Sequence, residues 1–386
     1  MKKKILKVNA WLHLWFGLVS GVIVIILSIT GCVLVFQEEL KYLFSDYTSV
    51  IVQDADSQLP PSRIYQSVKE RYPDKEIVSA WYWGLNKSVR VSLEGSDHFV
   101  YVNPYTADII AEVPHEDVFH FMDEGHRHLW MYPQIGRPIV GWATFIFFFI
   151  TGSGLILWWP KKWTKRMVKQ SFRINWKARF KRINYDLHNV LGFYSLTLAL
   201  LMAFTGLIMS FPWLRQSVVW MTGGYPTKTP VEEIQSSENY GSEDLPEALY
   251  AVDYVWVKVR KSIALHNKEA VIVHFPHEHT DEEDDHDHED EPLYACTDMI
   301  NGTWRDLSFD RQTLALLPSS SKPMHETGLA EWIMRSNYGL HTGYIGGITT
   351  KILYFFASLI CASLPITGFY IWWGKRQKTS KKRGKN

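Results

Sequence analysis

Residues 13–31 read HLWFGLVSGVIVIILSITG and residues 188–206 read HNVLGFYSLTLALLMAFTG, and these two stretches decide the fold. Each opens on a histidine, runs through an apolar segment and closes on Thr-Gly. The distance from His13 to Thr30 is 17 positions, and it is 17 again from His188 to Thr205. Two further apolar runs carry Thr151-Gly152 and Thr367-Gly368, preceded by His126 (or His128) and by His341. Each run has about 20 residues or more, enough to cross a hydrocarbon core of ~30 Å as a helix. Transmembrane helices are therefore expected at 14–36, 138–159, 188–211 and 343–373. None has a charged residue at its centre; Lys351, near the start of the fourth, is placed to snorkel to the interface.

The average composition hides this pattern, because the formal net charge of the 386-residue chain is only +1. Its cations are unevenly spread. They crowd the N-terminus (1–13), the linker between the second and third spans (160–187) and the tail (374–386). All three lie on one side of a four-span chain, so the positive-inside rule makes that side cytoplasmic, termini included. The segments 37–137 and 212–342 then face the periplasm, and the chain is expected to be a multi-pass protein of the cytoplasmic (inner) membrane in contact with lipid. Topology accounts for the basic linker, and no nucleic-acid partner is expected. The N-terminal lysines followed by a long apolar run, with no small-x-small cleavage site, read as an uncleaved anchor. Cys32, Cys296 and Cys361 lie in different segments, which indicates neither a disulfide framework nor a zinc knuckle.

The chain reads as two copies of one unit, span–domain–span, in parallel orientation. In 37–137, a helical pattern over 62–72 precedes strand-like runs at 77–83, 88–93 and 98–103, and the turn Val102-Asn103-Pro104-Tyr105-Thr106-Ala107 leads into a further strand. In 212–342, the helical pattern is 245–262 and the extended runs are 269–275, 292–298 and 303–309, followed by Phe309-Asp310-Arg311-Gln312-Thr313. Each segment is thus expected to hold a small α+β module beside the four-helix bundle.

The helix–strand pattern and its V-x-[ND]-x-x-T turn resemble a PepSY domain. Leu12-His13-Leu-Trp-Phe-Gly17, His126-Arg-His-Leu-Trp130, Tyr185-Asp-Leu-His-Asn-Val-Leu-Gly192 and Gly339-Leu-His-Thr-Gly343 resemble segments of the PepSY-associated transmembrane proteins. The resemblance covers nearly the whole chain. It implies an inner-membrane protein of the iron-uptake reductase type, some members of which bind haem b between their helices and reduce ferric siderophores at the outer face.

The histidines fit that chemistry on their own terms. His13 and His188 begin spans one and three from the same side, and His126 and His341 begin spans two and four from the other. Each pair is expected to hold one haem b through two imidazoles, a ligand set that suits both ferric and ferrous iron. His128 is the alternate to His126, and the spacing to Thr151 favours His126. Gly17, Gly21, Gly141, Gly192, Gly346 and Gly347 offer close approach to a porphyrin or to a neighbouring helix. No G-x-G-x-x-G follows a strand and no P-loop occurs, so the electrons are expected from quinol or a separate reductase. The segment 274–291, HFPHEHTDEEDDHDHEDE, sets His277, His279, His286 and His288 among carboxylates, a composition that suits weak metal collection without a fixed site. Trp81, Tyr82, Trp83, Tyr101 and Tyr105 are candidates for a cleft that takes a planar ligand, or for core and interfacial positions. The ferric chelate is the expected partner. The alternatives are a membrane-anchored module that binds a peptidase or cell-envelope component, and a metal-transport accessory.

Overall fold

The computed structural model describes residues 2–53, 57–160, 162–224, 245–264, 270–276, 292–299 and 302–383. His277, His279, His286 and His288 lie outside the described residues. The chain divides into two compact units: Met1–Gln37, Val118–Ser217 and Asn337–Asn386 form one, and Glu38–Asp117 with Val218–Ser336 form the other.

The first unit contains four stretches long and apolar enough to cross a membrane: Lys3–Leu34, Pro133–Trp158, Phe180–Ser210 and Tyr344–Gln377. In such surroundings every backbone N–H and C=O must be paired within the segment, which is why these runs are helical throughout. The first is α1 (Lys2–Leu34) and the second is α5 (Pro133–Trp158), which starts on a proline where an N–H would go unpaired anyway. The third is interrupted: α7 (Phe180–Asp186) passes through a π turn at Leu187–Leu191 into α8 (Gly192–Ser210). The fourth is α12 (Gly347–Arg383), reached through a turn in which Gly343 (φ 80°) and Gly347 (φ 63°) adopt left-handed backbone closed to larger residues. Gly347 thus serves the turn into α12.

Small residues let the helices close up. Ala199, Ala203 and Ala357 are buried, and a Cβ added at Gly21 of α1 would stand 3.0 Å from Pro365 of α12. Lys351 holds its Nζ 3.5 Å from the centre of the Tyr344 ring, so its charge is stabilised by an aromatic face. Two shorter helices complete the unit near its functional residues: α4 (Val118–His128), and the end of α11 (Leu329–Thr342).

The second unit is built on one antiparallel sheet of seven strands in the order β4-β3-β2-β1-β5-β6-β7. The strands are β1 (Ile77–Tyr82), β2 (Val89–Leu93), β3 (His98–Val102), β4 (Ile109–Pro114), β5 (Val271–His274), β6 (Leu293–Thr297) and β7 (Arg305–Phe309). The sequence suggests two separate modules. The structure instead merges their strands, because β1 pairs with β5 from Ser79↔His274 to Tyr82↔Val271.

One face of the sheet buries Ile77, Ala80, Val89, Val91, Val273, Leu307 and Phe309 under α3 (Pro61–Arg71) and α10 (Leu245–Lys258), which contribute Ile64, Val68, Val252 and Val255. The helices are tied together by Asp253, whose carboxylate accepts from the Ser62 backbone N–H (2.8 Å) and hydroxyl (2.5 Å). The two turns noted in the sequence are built alike. Asn103 Oδ1 accepts from the Tyr105 N–H and Asp310 Oδ1 from the Gln312 and Thr313 N–H groups, with Ala107 and Leu314 left-handed behind them. The bonds from Thr313 hold the Asp310 carboxyl below its ordinary value. The aromatic candidates separate by strand alternation. Tyr82 and Tyr105 are buried, with hydroxyls donated to the Leu59 and Leu85 carbonyls, while Trp81 and Trp83 pack with Trp304 around Ile272 and Cys296. Tyr82 and Tyr105 therefore do not share a cleft with Trp81 and Trp83.

Candidate functional site

The membrane-spanning unit brings the histidines together in two pairs. His13 of α1 and His188 of the π turn face each other with ring centres 6.3 Å apart and planes at 86°. His126 of α4 and His341 of α11 do the same at 6.1 Å and 68°. Two imidazoles that share one metal, each through a nitrogen about 2 Å from it, have ring centres roughly 6 Å apart.

Each ring is held from behind in the same way. His13 Nδ1 lies 2.8 Å from Ser153 Oγ, and His126 Nδ1 lies 3.0 Å from Thr30 Oγ1. His188 Nδ1 lies 2.9 Å from Thr367 Oγ1 and 3.1 Å from the Leu364 carbonyl; His341 Nδ1 lies 3.0 Å from both Thr205 Oγ1 and the Met202 carbonyl. A carbonyl only accepts, so Nδ1 carries the proton in His188 and His341. The hydroxyls point to the same tautomer at all four rings. Ser153, Thr30, Thr205 and Thr367 already donate to carbonyls of their own helices, which leaves their lone pairs to accept from the imidazole. With Nδ1 protonated, Nε2 keeps the lone pair that binds a metal.

The glycine after each hydroxyl makes room for the ring. A Cβ at Gly154 would stand 3.3 Å from His13 Cε1, and the corresponding distances are 3.3 Å from Gly31 to His126, 3.3 Å from Gly206 to His341 and 3.2 Å from Gly368 to His188. These are tighter than ordinary carbon contacts, so even a Cβ there would require the ring to shift by a few tenths of an ångström. The structure corrects one correspondence drawn from the sequence. In the second span the hydroxyl–glycine pair that receives histidine is Ser153-Gly154. Thr151 instead donates to the Phe147 carbonyl, and nothing lies within 4 Å of a Cβ at Gly152.

A further set of residues escaped the sequence reading. Asn9, Asn184 and Asn337 each stand one helical turn before a histidine, and their Nδ2 groups donate to the backbone carbonyls of Ser153 (3.3 Å), Thr367 (3.0 Å) and Thr205 (3.2 Å). The same serine or threonine thus accepts from the asparagine through its carbonyl and from the histidine through its hydroxyl. The repeated Asn-x-x-x-His spacing at 9/13, 184/188 and 337/341 was the available signal; Met122 takes the place before His126.

Helix phase separates His126, whose ring faces His341, from His128. His128 is buried with its Nε2 3.1 Å from Glu124 Oε1, and it faces none of the other three histidines. The turn that follows is fixed by left-handed Leu129 and Trp130 and by Gly136, where a Cβ would collide with the His128 carbonyl. If each facing pair holds a haem, replacing His128 by alanine is expected to leave haem content within experimental error of wild type, whereas His126→Ala removes one haem per chain. Metal and pyridine-haemochrome analysis of purified protein distinguishes the two outcomes.

Around His13 and His188 lies a cavity of about 410 Å³ walled by Leu14, Gly17, Phe147, Phe193, Leu196 and Phe369. No side chain within 4 Å would meet a Cβ at Gly17, one turn beyond His13, so this glycine borders open space. Among the described residues, no group of three His, Cys, Asp or Glu side chains converges as an ion site. Each pair therefore offers two nitrogen donors, and the His13–His188 pair opens onto a largely apolar slot. That set suits a metal whose remaining ligands come from a flat macrocycle, and it falls short of a bare tetrahedral ion.

Residues 10–375 match the family described as PepSY-associated TM region. The chain belongs to the PepSY-associated TM region family. A search of curated proteins found no match. The PepSY-associated match spans both histidine pairs, all four hydroxyl–glycine cradles and the asparagines Asn184 and Asn337, and it establishes a membrane protein with four apolar helices.

Proposed function

We propose that this PepSY-associated protein is a haem-b electron-transfer protein of the cytoplasmic membrane that reduces a ferric chelate, such as a ferric siderophore, on the periplasmic side. The observation that carries the reading is the pair of facing imidazoles at 6.3 and 6.1 Å, each with its Nδ1 tied to a hydroxyl behind it. When bound, the two haems would supply one-electron ferric/ferrous chemistry, one held by His13 and His188 and the other by His126 and His341.

The chain's own residues do the rest. His13 and His188 present Nε2 at one end of the bundle and His126 and His341 at the other. The 17 positions between His13 and Thr30 correspond to about 25 Å of helix, most of a ~30 Å hydrocarbon core. The cradles fix each ring's tautomer and direction, and metal-binding histidines that lose such a partner typically lose about 10–100-fold in affinity. The internal parallel duplication supplies the symmetry, since each half contributes one imidazole to each pair.

The substrate is a ferric ion in a hard-oxygen chelate, and it gains one electron. The resulting ferrous ion is held less firmly by oxygen donors and leaves the chelate. The electron comes from quinol or a separate reductase on the basic side. Two measurements test the reading. Protein purified in mild detergent is expected to carry two haems per chain with sharp reduced α/β bands, and reduced protein is expected to reoxidise when a ferric chelate is added. Folded, colourless protein would overturn it and leave a membrane-anchored module for a peptidase or cell-envelope partner.

A further inference from the structure

The cavity beside His13 and His188 is uneven in charge. Apart from the two imidazoles, Lys375 is the one ionisable basic group among its described wall residues. Toward the other end the wall is Val24, Phe147 and Ala199 with Ser20, Thr151 and Ser195, whose hydroxyls already donate to carbonyls of their own helices. Lys375 stands seven positions beyond Gly368, the glycine on which His188 rests, so it lies two turns further along the same stripe of α12, about 10 Å down the axis. Leu364, Gly368, Ile371 and Lys375 all border the cavity, as that shared stripe requires. A second cation sits at this mouth: Lys181 donates from Nζ to the Gly374 carbonyl at 3.1 Å. Tyr185, three residues before His188, adds a phenol to the wall.

A haem is an apolar plate with two carboxylates on one edge. Carboxylates pushed toward Val24, Phe147 and Ala199 would lose their hydration with no cation in return, which carries a large desolvation penalty for each unpaired ion. At the opposite end they meet an ammonium, a second ammonium nearby and a hydroxyl. We propose that Lys375 anchors the carboxylate edge of the haem held by His13 and His188, and so fixes the porphyrin with its carboxylates toward the basic end of the bundle. This inference rests on the haem reading above.

The test uses the full chain carrying His341→Ala, so that only the His13–His188 site binds, and titrates it with haem and with haem dimethyl ester by absorbance. The chain that keeps Lys375 is expected to bind haem about tenfold more tightly than the ester. Lys375→Met should weaken haem binding about tenfold, leave ester binding unchanged and so abolish the preference, and Lys375→Arg should restore it. An equal preference for haem with and without the Lys375→Met substitution would overturn the anchoring role while leaving the haem reading intact. A chain that binds neither ligand, or binds them equally well after His188→Ala, overturns both.

Discussion

Replacing His188 by alanine is expected to lower haem content from two per chain to one and to reduce ferric-chelate reduction at least a hundredfold. On the haem reading the ring is one of two imidazole donors at its site among the described residues, and it is seated on Thr367, Leu364 and Gly368. His341→Ala should remove the other haem and leave the first, because the two pairs use different residues. The surviving absorption in each single variant reports that the bundle is still folded. The double variant should be colourless. Quantitative haem analysis with absorbance-monitored reoxidation checks all three, and a His188→Ala protein that retained two haems would end the pairing scheme.

The second large effect concerns two glycines only two positions apart. Gly154→Val should abolish the His13–His188 site, because its branched carbons would occupy the space of His13 Cε1, already only 3.3 Å from an ideal Cβ. Gly152→Val should leave haem content unchanged, since nothing lies within 4 Å of that Cβ. Ser153→Ala should fall between them. It removes the hydrogen-bond partner of His13 Nδ1 and so weakens haem binding by roughly tenfold without filling any space. Haem titration of the three variants ranks them. A reversed order for Gly152 and Gly154 would return the receiving pair to Thr151-Gly152.

The contrast between those glycines marks where the sequence was legible and where it was not. The spans could be read because apolar residues are concentrated in four runs, and the strands because burial alternates along them, as in Val89, Val91 and Leu93. The threonine–glycine pattern succeeded at Thr30, Thr205 and Thr367. It failed in the second span because a shift of two positions turns the side chain about 200° around a helix, and composition carries no phase. The same ambiguity left His126 and His128 both open until the rings were placed.

Asn9, Asn184 and Asn337 were overlooked because a single asparagine beside an apolar run signals little; only its recurrence at one distance from a histidine does. The single sheet was invisible for a different reason. The β1–β5 pairing joins residues nearly two hundred positions apart, with no local turn to announce it. The acidic segment holding His277, His279, His286 and His288 lies outside the described residues.

The cradles and the facing rings follow opposite rules. Every histidine rests on a helix of its own half: His13 on α5, His126 on α1, His188 on α12 and His341 on α8. Every histidine also looks at a ring from the other half. A metal bonded to both imidazoles of a pair would therefore be riveted once to each half of the molecule, and the two pairs would do this at both ends. Its binding free energy would add to the cohesion of the halves by mass action. If that metal is haem iron, protein made without haem should be looser, with a lower melting temperature and faster proteolysis than the loaded form.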